Sequence, residues 1–494
     1  MSDKGHKYEP SRQSKAAAPD WLSVTLKTLL YFATGLLTLT SAESSGQPAG
    51  TPEKPNLVVI MADDLGYADV GFNRNSDIPT PNIDRIAKDG VVFTDAYVPF
   101  AVCAPSRAGF ITGRYPQRFG FERNPAWRPT DPSVGLALEE KTIAEVLRPA
   151  GYTSGLVGKW HLGSHEKLHP LSRGFAEFFG HLGGGLRYFP EDLTIEHTLE
   201  AKNEPESYKT WVSRGRQPVR TQHYLTEEFS HEAVEFINRH KDQPFFLFLA
   251  YNAPHAPMQA PAEEIAKFNH LPDKKRRIYA AMVTVMDRGI GKVLDALDEF
   301  GLSGNTLVFF LSDNGGAIET NGSKNTPLRG GKSQPFEGGI RVPMAAKWPG
   351  VIPAGTRYSQ PVSSLDIMAT IAAANDLPEN PQRPLDGVNL VPYLLGKTGA
   401  PHERIYLRAI DVGMYAMRQG NFKMVKAKAD KAAAQNASPL LFNLAEDLAE
   451  KKDLAGAEPG RLKSLQQSYE AWSGQLIEPT FPGLDMREWQ NAKP

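Results

Sequence analysis

The sequence predicts an α/β fold: a large, mainly parallel sheet sandwiched by helices, followed by a small C-terminal antiparallel sheet subdomain with a helix. Three observations predict it. Short, continuous apolar runs, the mark of strands buried on both faces, alternate with helical patterns along most of the chain. Polar residues follow the apolar runs at once, as they do where strands end at one functional edge. After about residue 401 the texture changes to short, closely spaced strand-like pieces.

The elements follow in order. Lys4, Lys7, Arg12, Lys15 and Lys27 precede an apolar run over 29–39, with Ser41 and Ala42 behind it. The run falls short of the roughly 20 apolar residues a spanning helix needs, so residues 1–42 read as a signal peptide, with an uncleaved anchor as the alternative. The expected location is periplasmic or secreted, with no membrane attachment after cleavage. Residues 43–55, rich in Gly, Pro and small polar types, read as a linker. Within 56–400, strands are expected at 57–62, 155–158, 245–250 and 307–311. Helices are expected at 81–88 (closed by Gly90), 142–148 (stopped by Pro149), 278–300 (capped by Gly301) and 366–374 (ahead of Pro378). Within 401–494, short strands are expected at 404–408, 414–418, 423–426 and 440–443, then a helix over 461–476. The stretch 168–211, with His169, Arg173, His181, Arg187 and Tyr188 around a Gly-Gly-Gly turn, reads equally as a ligand-binding segment formed by these residues or as a polar surface loop. Residues 426–435 read as a second loop.

Composition narrows the function. The chain has 494 residues and a formal net charge of -1, with no long basic run, which argues against a nucleic-acid surface. An anionic ligand must therefore be held by a few placed cations. A single Cys excludes an intramolecular disulfide and a Cys-based metal cluster.

The residues after the strands carry the chemistry. Asp63 and Asp64 follow the first run, Asp313 and Asn314 the run at 307–311, and His255 the run at 245–250. Lys159 and His161, two apart, point the same way if the chain is extended there. Strand ends of a parallel sheet share one edge, so these groups are expected to converge. Three carboxylates and an amide oxygen form a hard cage that suits calcium or magnesium better than zinc. Cys103-Ala-Pro-Ser-Arg107 places Cys103 at a predicted helix start, where backbone amides favour negative charge, with Arg107 one turn on.

Residues 103–113, Cys-Ala-Pro-Ser-Arg-Ala-Gly-Phe-Ile-Thr-Gly, resemble the signature of the type I, formylglycine-dependent sulfatases of the alkaline phosphatase-like superfamily. Ile111 stands where Leu is usual. The resemblance extends to Asn56–Asp64, to Gly-Lys-Trp-His-Leu-Gly at 158–163 and to Phe-Glu-Gly-Gly-Ile-Arg-Val-Pro at 336–343. It runs to about Leu454 and includes Leu441-Phe-Asn-Leu-Ala-Glu-Asp-Leu448, where Leu448 stands in place of a common Pro. It implies that Cys103 is oxidised to formylglycine by a dedicated maturase, a transient partner. It further implies that Asp63, Asp64, Asp313 and Asn314 bind calcium, and that Arg107 and Lys159 hold the nucleophile's oxygens. His255 would protonate the leaving alcohol with help from Lys332, and His161 would be the base. The implied activity is sulfate-ester hydrolysis; the expected substrate is a sulfated polysaccharide or its oligosaccharides, with His181 and Arg187 as candidate substrate-binding residues. A broad arylsulfatase and a phosphonate or phosphodiester hydrolase are the alternatives.

Overall fold

The structure, a computed structural model, describes residues 54–74, 77–193, 211–427 and 438–484. The expected signal peptide, most of the linker and most of the loop at 426–435 lie outside the described residues. Among the described residues no helix is long and apolar enough to cross a membrane.

Sixteen strands are described: β1 (Asn56–Ala62), β2 (Val91–Phe93), β3 (Ala96–Tyr97), β4 (Thr153–Lys159), β5 (Glu177–His181), β6 (Val212–Arg214), β7 (Gln217–Val219), β8 (Phe245–Ala250), β9 (Thr306–Ser312), β10 (Met344–Lys347), β11 (Thr356–Tyr358), β12 (Val362–Ser363), β13 (Arg404–Ala409), β14 (Met414–Gln419), β15 (Phe422–Lys426) and β16 (Leu440–Asn443). Ten form one sheet in the order β11-β2-β10-β9-β1-β8-β4-β5-β6-β7. Its centre, β9-β1-β8-β4-β5, is parallel throughout. Antiparallel pairs occur towards the edges, where β10 joins β9 to β2 and where β6 and β7 follow β5.

The continuous apolar runs are explained by burial on two faces. Val58 and Ile60 of β1, Leu247 and Leu249 of β8 and Val308 and Phe310 of β9 enter one core, with helices Pro81–Lys88, Leu225–His240 and Lys274–Glu299. Their alternates, Leu57, Val59, Phe246, Phe248, Leu307 and Phe309, enter the other, with helices Cys103–Thr112 and Asp366–Ala374. The expected strands and helices of this part are present with ends shifted by a few residues; the helix expected at 142–148 shortens to Ile143–Leu147.

The stretch 168–211 departs from the loop reading. Its described part includes β5, with Phe178 and Phe179 buried. Arg173 is a structural cation whose guanidinium donates to the carbonyl oxygens of Leu136 and Glu140. Tyr188 is buried too, and its hydroxyl donates to the carbonyl oxygens of Asn252 and His255.

Gly158, near the end of β4, has φ +112°, and a Cβ there would meet the Ala250 carbonyl oxygen at 1.9 Å. Backbone strain and overlap with a fixed neighbouring strand add. Gly158→Ala is therefore expected to cost roughly 3 kcal/mol, read as a lowered urea midpoint, and to displace Lys159, read as lost hydrolysis.

Strands β13–β16 form a separate antiparallel sheet in sequential order. Ile405, Leu407, Ala416, Val425 and Phe442 pack one face on Val98, Phe100, Phe336 and Ile340. Helix Pro459–Ser473 covers the other through Leu465, Tyr469 and Trp472. Beside this seam lies a buried charge cluster. Lys423 Nζ is 2.8 Å from Glu337 Oε1 and 3.0 Å from Glu450 Oε1. Glu337 Oε2 also accepts from the Tyr97 hydroxyl at 2.6 Å and from Arg341 at 3.2 Å.

Candidate active site

The parallel strands deliver polar residues to one edge. Asp63 and Asp64 leave β1, Asp313 and Asn314 leave β9, and Lys159 ends β4 between its neighbours β8 and β5. Asp64 has φ +64°, which turns the chain sharply so that successive carboxylates address one centre.

Cys103 is the first residue of helix Cys103–Thr112, entered from extended Val102, and it is buried. Its Sγ lies 3.4 Å from Asp63 Oδ1 and accepts from Lys332 Nζ at 3.1 Å. Lys332 Nζ also donates to Asp64 Oδ2 at 2.8 Å, and Lys159 Nζ to Asp63 Oδ2 at 2.6 Å. Arg107, one helical turn from Cys103, sends Nε and an amino group to Asp313 at 2.9 and 2.8 Å. A second amino group donates to the Lys159 carbonyl oxygen at 3.1 Å. Asn314 Nδ2 donates to Asp64 Oδ1 at 2.7 Å. The contacts join residues from positions 63 to 332 in one buried network.

Burial would raise Asp63, but Lys159, His255, Arg107 and Lys332 outweigh it and hold its carboxyl well below the usual range. Asp313 is pushed up to about 6 by burial and by the charge of Asp63, against Arg107 and Lys159. Burial also drives the Cys103 thiol well up, although Lys159 and Lys332 pull the other way.

Ligand atoms of Asp63, Asp64, Cys103 and His255 all lie within 4.8 Å of one another. Asp313 is not among those four; its oxygens accept from Arg107 and from the Asp64 amide. Asn314 Oδ1 is buried with no hydrogen-bond partner in the structure. An orphaned amide oxygen among carboxylates fits a hard cation, since an unpaired buried acceptor is otherwise costly.

The histidines divide. His255 places Nε2 3.6 Å from Asp64 Oδ2, while Nδ1 meets the Ala256 carbonyl oxygen at 2.6 Å. A carbonyl only accepts, so Nδ1 carries the proton and Nε2 faces the cluster. His161 is buried beside the end of β4, but its φ of +62° ends the extended chain there. The alternation argument that pointed it with Lys159 therefore does not apply, because alternation requires extended backbone.

His181, expected on a loop, ends β5 in register with Lys159. It is buried, and neither ring nitrogen has a hydrogen-bond partner in the structure. Burial first, then Lys159, lowers its pKa well below the ordinary value, so the ring is neutral. Arg187 is half-exposed and pairs with Asp192 at 3.5 Å. No contact among the described residues joins Arg187 to the cluster. Tyr188, which braces the His255 carbonyl, gave no local sign of that role.

The sulfatase family model matches residues 55–377. N-acetylgalactosamine-6-sulfatase of Canis lupus familiaris is 34% identical over 472 residues, covering 87% of each chain. Arylsulfatase A of Bos taurus is 34% identical over 468 residues, covering 87% of this chain and 90% of its own. The crystal structure of Ps i-CgsB in complex with k-i-k-neocarrahexaose superposes with a TM-score of 0.82 at 39% identity, covering 89% of this chain and 97% of that one. With the matched family model spanning most of the chain and the polar cluster at its sheet edge, this chain belongs to the sulfatase family and hydrolyses sulfate esters.

Proposed function

We propose that the protein is an exported carbohydrate sulfatase that works through formylglycine at position 103 and a bound calcium ion. One observation carries the reading: Cys103 starts a buried helix, 3.1 Å from Lys332 Nζ, at the meeting point of three acidic and three basic side chains. Asp63, Asp64, Asp313 and Asn314 would hold calcium, which when bound polarises sulfate oxygens. Formylglycine supplies a hydroxyl nucleophile and a second hydroxyl that frees the enzyme after the ester is cleaved.

The chain's own residues do the rest. A sulfate ester is an anion and repels an approaching nucleophile. Arg107, Lys159 and Lys332 offset that repulsion, and their fixed positions in a water-poor site strengthen the effect. Asp313 holds Arg107 by two contacts, so the guanidinium is oriented before substrate arrives. His255, with Nδ1 fixed on the Ala256 carbonyl, presents Nε2 for proton transfer to the leaving alcohol. His161 serves as the base, and Lys332 assists His255 in protonating the leaving alcohol. His181 fills the space beside Lys159 as a neutral ring, and Arg187 offers an exposed cation to a larger anionic substrate.

A carbohydrate is favoured because a 34% identical relative acts on an N-acetylgalactosamine sulfate, and the 39% identical structure holds a neocarrahexaose. The basic leader and the apolar run at 29–39 support export. Sulfate release from a panel of defined sulfated oligosaccharides, with matched phosphate esters alongside, tests the reading. Faster turnover of the phosphate esters would overturn it.

Removing a metal ligand gives a separate expectation. Asp313→Ala should abolish bound calcium in metal analysis and reduce hydrolysis by at least about 10³-fold, because Arg107 loses its anchor as well. A fully active, calcium-free Asp313→Ala protein would exclude the proposed cage.

A further inference from the structure

Trp127 and Trp211 meet edge to face, with ring centroids 5.9 Å apart and planes at 79°. Both are half-buried, so part of the pair is open to solvent. Core aromatics of this protein are different. Trp160, against Phe175, is buried, and its Nε1 donates to the Leu168 carbonyl oxygen.

Each ring is tied to the active-site edge by a different part of the chain. Three residues before Trp127, Asn124 Oδ1 accepts from the backbone amide of Ala104, the neighbour of Cys103, at 3.0 Å. One residue after it, the Arg128 amide donates to Ser164 Oγ at 2.8 Å, three positions beyond His161. Leu136 then closes on the Leu162 carbonyl oxygen at 2.9 Å. Trp127 is thus suspended between the nucleophile's helix and the segment carrying His161. Trp211 immediately precedes β6, which runs antiparallel to β5 with Gly180 opposite Ser213. Continuing that register sets Trp211 at the carboxyl end of β5, just past His181. That is the sheet edge to which β4 brings Lys159.

We infer that Trp127 and Trp211 form an aromatic platform for the sugar ring adjoining the one that bears the reacting sulfate. The inference rests on the carbohydrate reading above and deepens it. The cations of the site can hold an ester sulfate but offer nothing to the apolar C–H faces of a neighbouring pyranose. A broad indole surface does, at low entropic cost, because Trp has only two side-chain torsions to fix. Two rings at a steep angle make a corner that fixes a sugar's orientation as well as its position. An edge-to-face pair also stabilises a loop by itself, so the test must separate support of the loop from contact with substrate.

The test compares the unaltered enzyme, Trp127→Ala, Trp211→Ala and Trp127→Phe on a sulfated oligosaccharide and on a one-ring aryl sulfate, with urea midpoints for all four. The expected result is a kcat/KM for the oligosaccharide about tenfold lower in each Ala variant, beyond any change seen with the aryl sulfate. The loss should fall in KM more than in kcat, with Trp127→Phe restoring part of it. Equal losses on both substrates, or no selective loss, would overturn the platform while leaving the carbohydrate reading in place. Should the unaltered enzyme cleave the aryl sulfate and no oligosaccharide, the carbohydrate reading fails, and the platform with it. An Ala variant that does not fold leaves Trp127→Phe and the second Ala variant to decide by the same ratio.

Discussion

Protein made without a formylglycine-generating maturase is expected to be folded, soluble and nearly inactive. Cys103→Ala should behave the same way, with hydrolysis lower by roughly 10⁴-fold or more, the scale seen when a nucleophile is removed. The reason lies in the thiol's surroundings. Burial pushes it well above the ordinary range, against the pull of Lys159 and Lys332. The unmodified side chain therefore stays a protonated thiol at neutral pH and is a poor nucleophile. As a small buried group it is structurally tolerable, so folding does not require its oxidation. Peptide mass spectrometry of active enzyme should show an aldehyde at position 103, and thiol-alkylating reagents should leave the mature form active. Full activity of unmodified Cys103, abolished by alkylation, would replace this mechanism with a cysteine hydrolase.

Lys423→Met is expected to destabilise the fold by roughly 3–5 kcal/mol, the range for removing one partner of a buried ion pair. Lys423 lies between Glu337 and Glu450, and all three are buried. Without it, two buried carboxylates lose the cation they share. Burial tends to raise Glu337, but Lys423, Arg341 and Arg418 outweigh it and hold it at about 2, below its ordinary 4.5. Its contribution to stability is thus fully present above about pH 4.5 and is lost as pH falls towards 2. Urea denaturation of the Lys423→Met protein should show the lowered midpoint at pH 7. The double change Glu337→Gln with Lys423→Met should cost less than the two single changes added together. Strict additivity would mean that the pair does not interact.

The central fold was legible because it is written locally. β1, β8 and β9 are buried on both faces, and the sequence shows that as unbroken apolar runs. β5 was less visible, since two Phe residues amid Glu, Gly and His do not stand out from a loop. Helix Leu225–His240 had a readable signal in Leu225, Phe229, Ala233, Phe236 and Ile237, spaced for one helical face. In the site, Asp63, Asp64, Asp313, Asn314 and Lys159 announce themselves by following strands. Lys332 does not. It sits in a loop 268 residues from its partner Asp64, and only the family resemblance pointed to it. The motif at 336–343 was readable as a motif, but its role at the seam with the small sheet was not. Glu337 and Lys423 are 86 residues apart and meet only in the folded chain.

The wiring of β1 to β9 also sets a clock. Asp64 meets Asp313 across 249 positions, so no part of that contact exists until β9 has been synthesised and has docked. Roughly 200 residues separate Cys103 from β9, which at typical rates is on the order of 10–40 s of translation. During that interval Arg107 lacks its anchor Asp313 and Cys103 lacks its neighbour Lys332. Afterwards Cys103 is 1% exposed, and Arg107 and Lys332 stand against the acidic cluster around it. The oxidation of Cys103 proposed above would therefore have to precede the docking of β9, while the side chain is still accessible.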